Sequence, residues 1–388
     1  MPIGGHVRKP GVLPWSERKS SRGKRKTICT AGYACPRPDC DYFGNTDSTF
    51  HALVGEGKRG ADGIQWLRCQ ACGKRFSSWR GTALYRLRAP AAQVAQVLLA
   101  VNLGLTLADT AWLFHHSEVT VRLWLARAGM HAEKVHALFF HQLTLGHLQF
   151  DELFTTLRDK AHDLWVWTAC DPVTKLIPTL QVGPRTQVMA HAVVHALTLV
   201  LAPGCLPVFT CDGLNLYFYA LTAHFGQWST DPTIGQVCWQ VAHDLIYGQV
   251  KKSYRRRKLQ FVERLMRLGD LAHLTERLKT LGLSGSLNTA FVERLNLTLR
   301  HALAALSRRS WAPAQLTGEL ITQLEWWRAR FAYHFCRPQA ALWLKLDTPL
   351  ARRGAQTPRR FAARTPAMAA GLTDHVWSVQ ELLAFPVS

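Results

Sequence analysis

The sequence predicts a mixed α/β protein, a sheet with helices on both faces, preceded by two small modules. Three observations carry this. From residue 146 onward, short apolar runs of strand length alternate with longer runs of helical spacing. Two of the strand-like runs end on aspartate, Gln149-Phe150-Asp151-Glu152 and Phe209-Thr210-Cys211-Asp212-Gly213. Ahead of them stand two cysteine pairs, Cys35/Cys40 and Cys69/Cys72.

Length and charge set the frame. A chain of 388 residues has room for two or three domains with real cores. Lys and Arg outnumber Asp and Glu by 47 to 26, a formal charge of +21, which points to a polyanionic partner and first to nucleic acid. No apolar run reaches membrane-spanning length, and the most apolar stretch, Ala192 to Leu206, is broken by His195, Pro203 and Gly204. The N-terminus lacks the apolar segment of a secretory signal. The expected location is therefore the cytoplasm, with no membrane partner. In a reducing compartment, paired cysteines indicate metal before disulfide.

Residues 1–28 read as a disordered basic arm. Arg8, Lys9, Arg18, Lys19, Arg22, Lys24, Arg25 and Lys26 face one acid, Glu17, and nothing there can build a core. It is either a solvated tail or an arm on DNA phosphates. Residues 29–83 read as a zinc ribbon. Cys35, Cys40, Cys69 and Cys72 sit on two tight knuckles and can offer four thiolates to one structural Zn²⁺. Gly73 suits the turn, Trp66 and Leu67 a strand leading into it, and Phe76 a cover over the site.

Residues 84–145 read as a helix-turn-helix and a linker helix. Val94, Val97, Leu98, Val101 and Leu105 mark a first helix, and Thr106 to Phe114 a short second one. Ser117 caps a third from Glu118 to Arg127, ending at Gly129, and Met130 to Leu145 forms the linker. Thr120, Arg122 and Arg127 are then candidates for DNA contact. An ordinary three-helix packing unit would show the same pattern.

Residues 146–345 read as the main domain. Strands are expected at His147 to Asp151, Leu164 to Cys170 and Lys175 to Val182, then a helix from Arg185 to Ala202. A strand from Leu206 to Cys211, a helix from Leu214 to Phe225 and a strand from Gln236 to His243 follow. This is the ribonuclease H-like order, and it brings Asp151 and Asp212 onto neighbouring strands. A helical insertion is expected around 245–287, amphipathic from Leu259 to Leu281. It opens on a basic loop, Lys251, Lys252, Arg255, Arg256, Arg257 and Lys258, suited to phosphates. A helix from Phe291 to Ser307 puts Glu293, Asn296 and Arg300 on one face, so Glu293 can join Asp151 and Asp212 in one metal-binding cluster, with Asn296 and Arg300 beside the DNA. Glu152, Asp163, Asp171 and Asp244 read as turn or surface acids. Aromatics from Trp326 to Phe335 read as core. Residues 346–388, rich in Arg, Ala and Pro, read as a weakly ordered tail.

Four of these features resemble the transposases of the insertion-sequence-one type, a branch of the DDE transposases. They are the knuckles ending in Cys72-Gly-Lys-Arg-Phe76, the helix-turn-helix that follows, Thr210-Cys-Asp212-Gly-Leu-Asn-Leu-Tyr217, and Asn288-Thr-Ala-Phe-Val-Glu293-Arg-Leu-Asn296-Leu-Thr-Leu-Arg300 with Leu306-Ser-Arg-Arg309. The resemblance spans about Cys35 to Pro338. It implies a ribonuclease H-like domain and a catalytic triad of Asp151, Asp212 and Glu293. It also selects Glu293 over Glu263, whose pentapeptide Phe261-Val-Glu-Arg-Leu265 repeats the one around Glu293.

Three carboxylates can hold two Mg²⁺ or Mn²⁺ ions across a scissile phosphate. The expected activity is cleavage of transposon ends and joining of the freed 3′-OH to target DNA, with double-stranded DNA as partner and a homodimer or higher oligomer on it. The prokaryotic nucleoid is then the expected site of action. A nuclease or resolvase on the same fold, or a DNA-binding regulator with an inactive catalytic remnant, are the alternatives.

Overall fold

In a computed structural model, the structure describes residues 11–18, 30, 32–60, 62–158, 162–230, 235–256, 258–307, 310, 312–329, 334–351 and 357–387. The chain divides into two compact units, Met1–Gln96 with Gln380–Ser388, and Val97–Val379.

In the first unit a short helix, α1 (Trp15–Arg18), precedes an antiparallel sheet of β1 (Leu53–Arg59), β2 (Ile64–Cys69) and β3 (Arg75–Ser77). Its small core gathers Tyr42, Phe50, Leu53, Leu67 and Phe76 around the cysteines. Residues 11–18 of the expected arm are anchored. The Trp15 N–H donates to the Phe50 carbonyl at 2.9 Å, and its ring meets Tyr42 edge-on at 5.7 Å. The rest of the arm lies outside the described residues. Helix α2 (Ala91–Val101), begun by an N–H from Ala91 to the Asp62 carboxylate, leads out of this unit.

The second unit opens with α3 (Leu107–Leu113) and α4 (Glu118–Phe139). Thr106 and Ser117 cap them, accepting from the N–H groups of Asp109 and Thr120. The expected break at Gly129 is absent: α4 runs on for 22 residues. Gly129 is there for packing. A Cβ on it would lie 2.3 Å from Thr322 Cγ2 and 2.4 Å from the Thr322 carbonyl oxygen. The missing side chain, which sequence rules read as a stop, is what lets another helix approach.

The sheet follows as β4 (His147–Thr156), β5 (Asp163–Cys170), β6 (Thr179–Gly183), α5 (Gln187–Val200), β7 (Val208–Cys211) and α6 (Leu216–His224). Then come β8 (Gly226–Thr230), β9 (Val237–Val241), β10 (Tyr247–Arg255), β11 (Lys258–Leu268), α7 (Leu271–Thr280), α8 (Ala290–Ala302) and α9 (Thr317–Trp327). Six strands form a mixed sheet in the order β11-β10-β7-β4-β5-β6, with β7 parallel to both β4 and β10. Leu153 faces α8 and α9 in one core, while Phe150, of opposite parity on β4, stacks on Tyr217 of α6 at 4.6 Å. Helices thus cover both faces.

Five features depart from expectation. The first strand does not stop at Asp151 but runs on to Thr156, because its pairing with β5 continues through Thr156↔Asp163. Val237–Val241 is a strand, but among the described residues it pairs only with β8, and the strand beside β7 is β10. The expected basic loop is the outer part of β10, a turn at Arg256 with φ 48°, and the start of β11. The helical insertion is instead the β10–β11 hairpin followed by α7, because residues 258–268 pair along β10 rather than closing on themselves. The tail is ordered over its described residues: β12 (Leu344–Leu350) pairs with β13 (Arg359–Ala362), and α10 (Pro366–Ala369) and α11 (Val379–Ala384) follow. Trp377, Leu382 and Leu383 are buried.

A buried polar chain fixes α4 and α9 to the turn before β6. The Ile177 N–H donates to His334 Nε2 at 3.1 Å. His334 Nδ1 then meets His136 Nε2 at 2.9 Å, and His136 Nδ1 meets the Glu325 carboxylate at 2.9 Å. Only one tautomer of each neutral ring satisfies this run, with Nδ1 protonated on both. Burial holds His136 down to about 4, with Arg328 adding to it. Burial alone would raise Glu325, but the Arg328 guanidinium, 2.8 Å away, and His136 bring it down to about 2.

Candidate metal centres

The first centre lies in the small unit. Sγ atoms of Cys35, Cys40, Cys69 and Cys72 all fall within 4.8 Å of one another. Cys35–Cys72 and Cys40–Cys69 are 3.6 and 3.8 Å apart. Ligand bonds of about 2.3 Å in a tetrahedron require sulfur edges near 3.8 Å, whereas a disulfide requires about 2.05 Å. The first knuckle is closed by the Gly44 N–H on the Cys35 carbonyl, and the second by the Gly73 N–H on the Cys69 carbonyl. A hydrogen bond from Cys35 pulls Cys69 down to about 5 and pushes Cys35 up, while burial lifts Cys40 to about 11. A four-cysteine set with this geometry can bind zinc.

The second centre sits where β4 and β7 run side by side. Gln149 pairs with Thr210, so Asp151 and Asp212 extend from neighbouring parallel strands. The structure adds Glu152: one carboxylate oxygen from each of Asp151, Glu152 and Asp212 lies within 4.8 Å of the others. Glu152 is thus no surface acid. Its side chain is 1% exposed, held by Arg185 at 3.2 Å and flanked by Tyr217. Strand alternation hid it, since neighbours on a strand point to opposite faces, whereas the Asp151 carboxylate turns along its own strand and accepts from the Glu152 N–H at 2.9 Å. Asp171, by contrast, is a turn acid as read, accepting from the Val173 and Thr174 N–H groups at 3.0 Å each.

Glu293 stands in the first turn of α8, outside that tightest group but close enough to raise Asp151 electrostatically. Gln149 docks the helix there. Its amide donates to the Asn288 carbonyl at 2.8 Å and accepts from the Val292 N–H at 3.1 Å. Lys252 forms an ion pair with Glu293. Glu263 is different: it pairs directly opposite Lys251, the neighbour of opposite parity, and so lies on the other face of the sheet from the Lys252–Glu293 pair.

Burial first, then Asp212, pushes Asp151 up to about 7, and burial pushes Glu152 up to about 7 as well. Crowded carboxylates of this kind are poor neighbours as anions unless a cation joins them. The donor set is all oxygen, which suits a hard divalent ion. Asn296 donates to Asp151 at 2.8 Å and is buried, so its amide orients the carboxylate. Arg300 reaches the Phe154 carbonyl at 3.1 Å and ties α8 to β4.

The basic candidates are spread more widely. Lys251, Arg255, Arg256 and Lys258 are exposed on the β10–β11 hairpin, while Arg257 lies outside the described residues. The Lys251 stem passes over Gly213 beside Asp212, where a Cβ would be 2.8 Å from it. On α4, Thr120 shares a hydroxyl contact with the Ser117 cap, Arg127 is half-buried, and Arg122 is paired with both Glu118 and Glu319. The solvent side of that helix shows Val119, Leu123 and Met130.

No protein-family model matches the chain, and no curated protein matches it significantly. Among the described residues, no helix is long and apolar enough to cross a membrane.

Proposed function

We propose that this chain is a DNA transposase of the DDE type, with a ribonuclease H-like catalytic domain, a zinc ribbon and a helix-turn-helix. The observation that carries the reading is the convergence of Asp151 and Asp212, on adjacent parallel strands, with Glu293 docked beside them by Gln149. The order of β4 to α6, with β10 next to β7, supports the ribonuclease H-like reading. The formal charge of +21 and the basic β10–β11 hairpin support DNA as the partner.

Asp151, Asp212 and Glu293, with Glu152 alongside, would hold Mg²⁺ or Mn²⁺, which supply charge neutralisation at the phosphate and a more acidic attacking water or hydroxyl. The protein's own groups do the rest. Asn296 keeps one Asp151 oxygen turned, Arg185 anchors Glu152, and Lys252, now paired with Glu293, would release that carboxylate to an ion. Exposed Lys251, Arg255, Arg256 and Lys258 draw the phosphate backbone to the sheet edge. In cleavage, water oxygen bonds phosphorus and the 3′-oxygen leaves with a proton. In joining, that 3′-hydroxyl attacks a target phosphodiester, exchanging one ester for another. The zinc ribbon and helix-turn-helix would bind the terminal repeats, and two copies would pair two ends.

A strand-transfer assay with terminal-repeat DNA and Mg²⁺ tests this. Joined product supports it. Cleavage without joining makes the chain a nuclease or resolvase, and binding with neither makes it a regulator.

A further inference from the structure

Away from both centres, three histidines meet where α5 packs on α6. His191 and His195 lie one turn apart in His191-Ala-Val-Val-His195, and His224 ends α6. The His224 ring centroid is 5.4 Å from that of His191 and 5.7 Å from that of His195. His224 Nδ1 lies 2.8 Å from the Ala220 carbonyl oxygen. A carbonyl only accepts, so Nδ1 carries the proton and Nε2 keeps its lone pair. Carbonyls fix metal-binding imidazoles in this same way.

We propose that His191, His195 and His224 form a third metal site, for a borderline transition ion such as Zn²⁺ or Ni²⁺. Two imidazoles four residues apart share one helix face, and a packed neighbouring helix brings the third. Imidazole nitrogens suit Zn²⁺ and Ni²⁺ and do not suit Mg²⁺. The two helices are already clasped, since the Gln187 amide donates to the Leu216 carbonyl at 3.1 Å. The three donor nitrogens are not yet gathered within 4.8 Å, as the sulfurs and carboxylates are. Closing on an ion takes side-chain rotation, which exposed His195 and half-buried His191 have room for. His224 also borders a cleft of about 570 Å³.

The test uses the full, tag-free chain with its cysteine site loaded with zinc and Mg²⁺ in excess to occupy the carboxylates. Ni²⁺ is titrated calorimetrically. One further equivalent should bind with a micromolar or tighter Kd. H195A and H224A should each weaken it at least tenfold, and H191A/H195A should abolish it. Co²⁺ at the same site should show weak visible bands without thiolate charge transfer. No further equivalent in the native chain, unchanged binding in the variants, or a thiolate band overturns the proposal. If H224A melts below the native chain without Ni²⁺, the exposed His195 variant carries the test.

Discussion

The four sulfurs come from two turns between residues 35 and 72, and three of them are buried. The carboxylates come from residues 151, 152, 212 and 293, in the middle of one strand, just past the end of another and on a helix, and Asp212 and Glu293 are exposed. Local, closed ligand sets hold a fold together, whereas sets assembled from distant elements and open to solvent leave room for a substrate. The first cluster should therefore fail by unfolding and the second by inactivity.

The largest effect expected is at the closed site. Cys69→Ser should remove zinc from the protein, and with it stabilisation of about 10 kcal/mol at neutral pH for sites of this type. Hydrogen exchange should then rise across β1–β3 and stay low in β4, β5 and β7. Retained zinc, or exchange rising equally in both units, would break the contrast.

At the open site, Asp212→Asn should cut strand cleavage by on the order of 10³-fold without lowering the melting temperature, since a lost ligand removes several kcal/mol of transition-state stabilisation. A variant that still cleaves would remove Asp212 from the site.

The open site should also be a stability liability without its ion. Asp151 and Glu152 have folded pKa values raised to about 7, above those of unfolded chains. Folding then favours their protonated forms, so the associated stability is full below about pH 4 and is lost as pH rises through about 7. In Mg²⁺-free buffer at pH 8, Glu152→Gln should stabilise the protein by about 2 kcal/mol, and added Mg²⁺ should shrink the difference. A chelator is unsuitable here because it would strip the cysteine site too. A Glu152→Gln melt equal to or below the native one refutes this account.

The smallest effect should come from Asn296→Ala, which frees Asp151 without removing a ligand. Cleavage should fall by about tenfold, the equivalent of one charge-assisted hydrogen bond, and DNA affinity in a filter-binding assay should hold. A fall in affinity alone would instead put Asn296 on the DNA.

What could be read in advance follows the same division. The cysteine knuckles were legible because their ligands are close in sequence. Asp151 and Asp212 were legible because each follows an apolar run, although only β7 stops there and β4 continues past Asp151. Glu152 was not, because alternation assigns adjacent residues to opposite faces and does not foresee a carboxylate that turns along its own strand, as Asp151 does toward the Glu152 N–H. Gly129 was misread because a helix stop and a close helix crossing ask for the same residue. The β10–β11 hairpin was misread because its charges look like a loop, and its strand character comes from the two arms pairing with each other, Lys251 opposite Glu263 and Arg255 opposite Lys258.

That hairpin leaves β11 at the rim of the six-stranded sheet, eleven residues long. An open rim of that length invites a second chain to add itself as a further strand, the first step toward precipitation. Lys258, Glu263, Arg264 and Arg267 interrupt it with charge. The basicity that would hold a nucleic acid thus also keeps concentrated, DNA-free protein in solution, and high salt should weaken both at once.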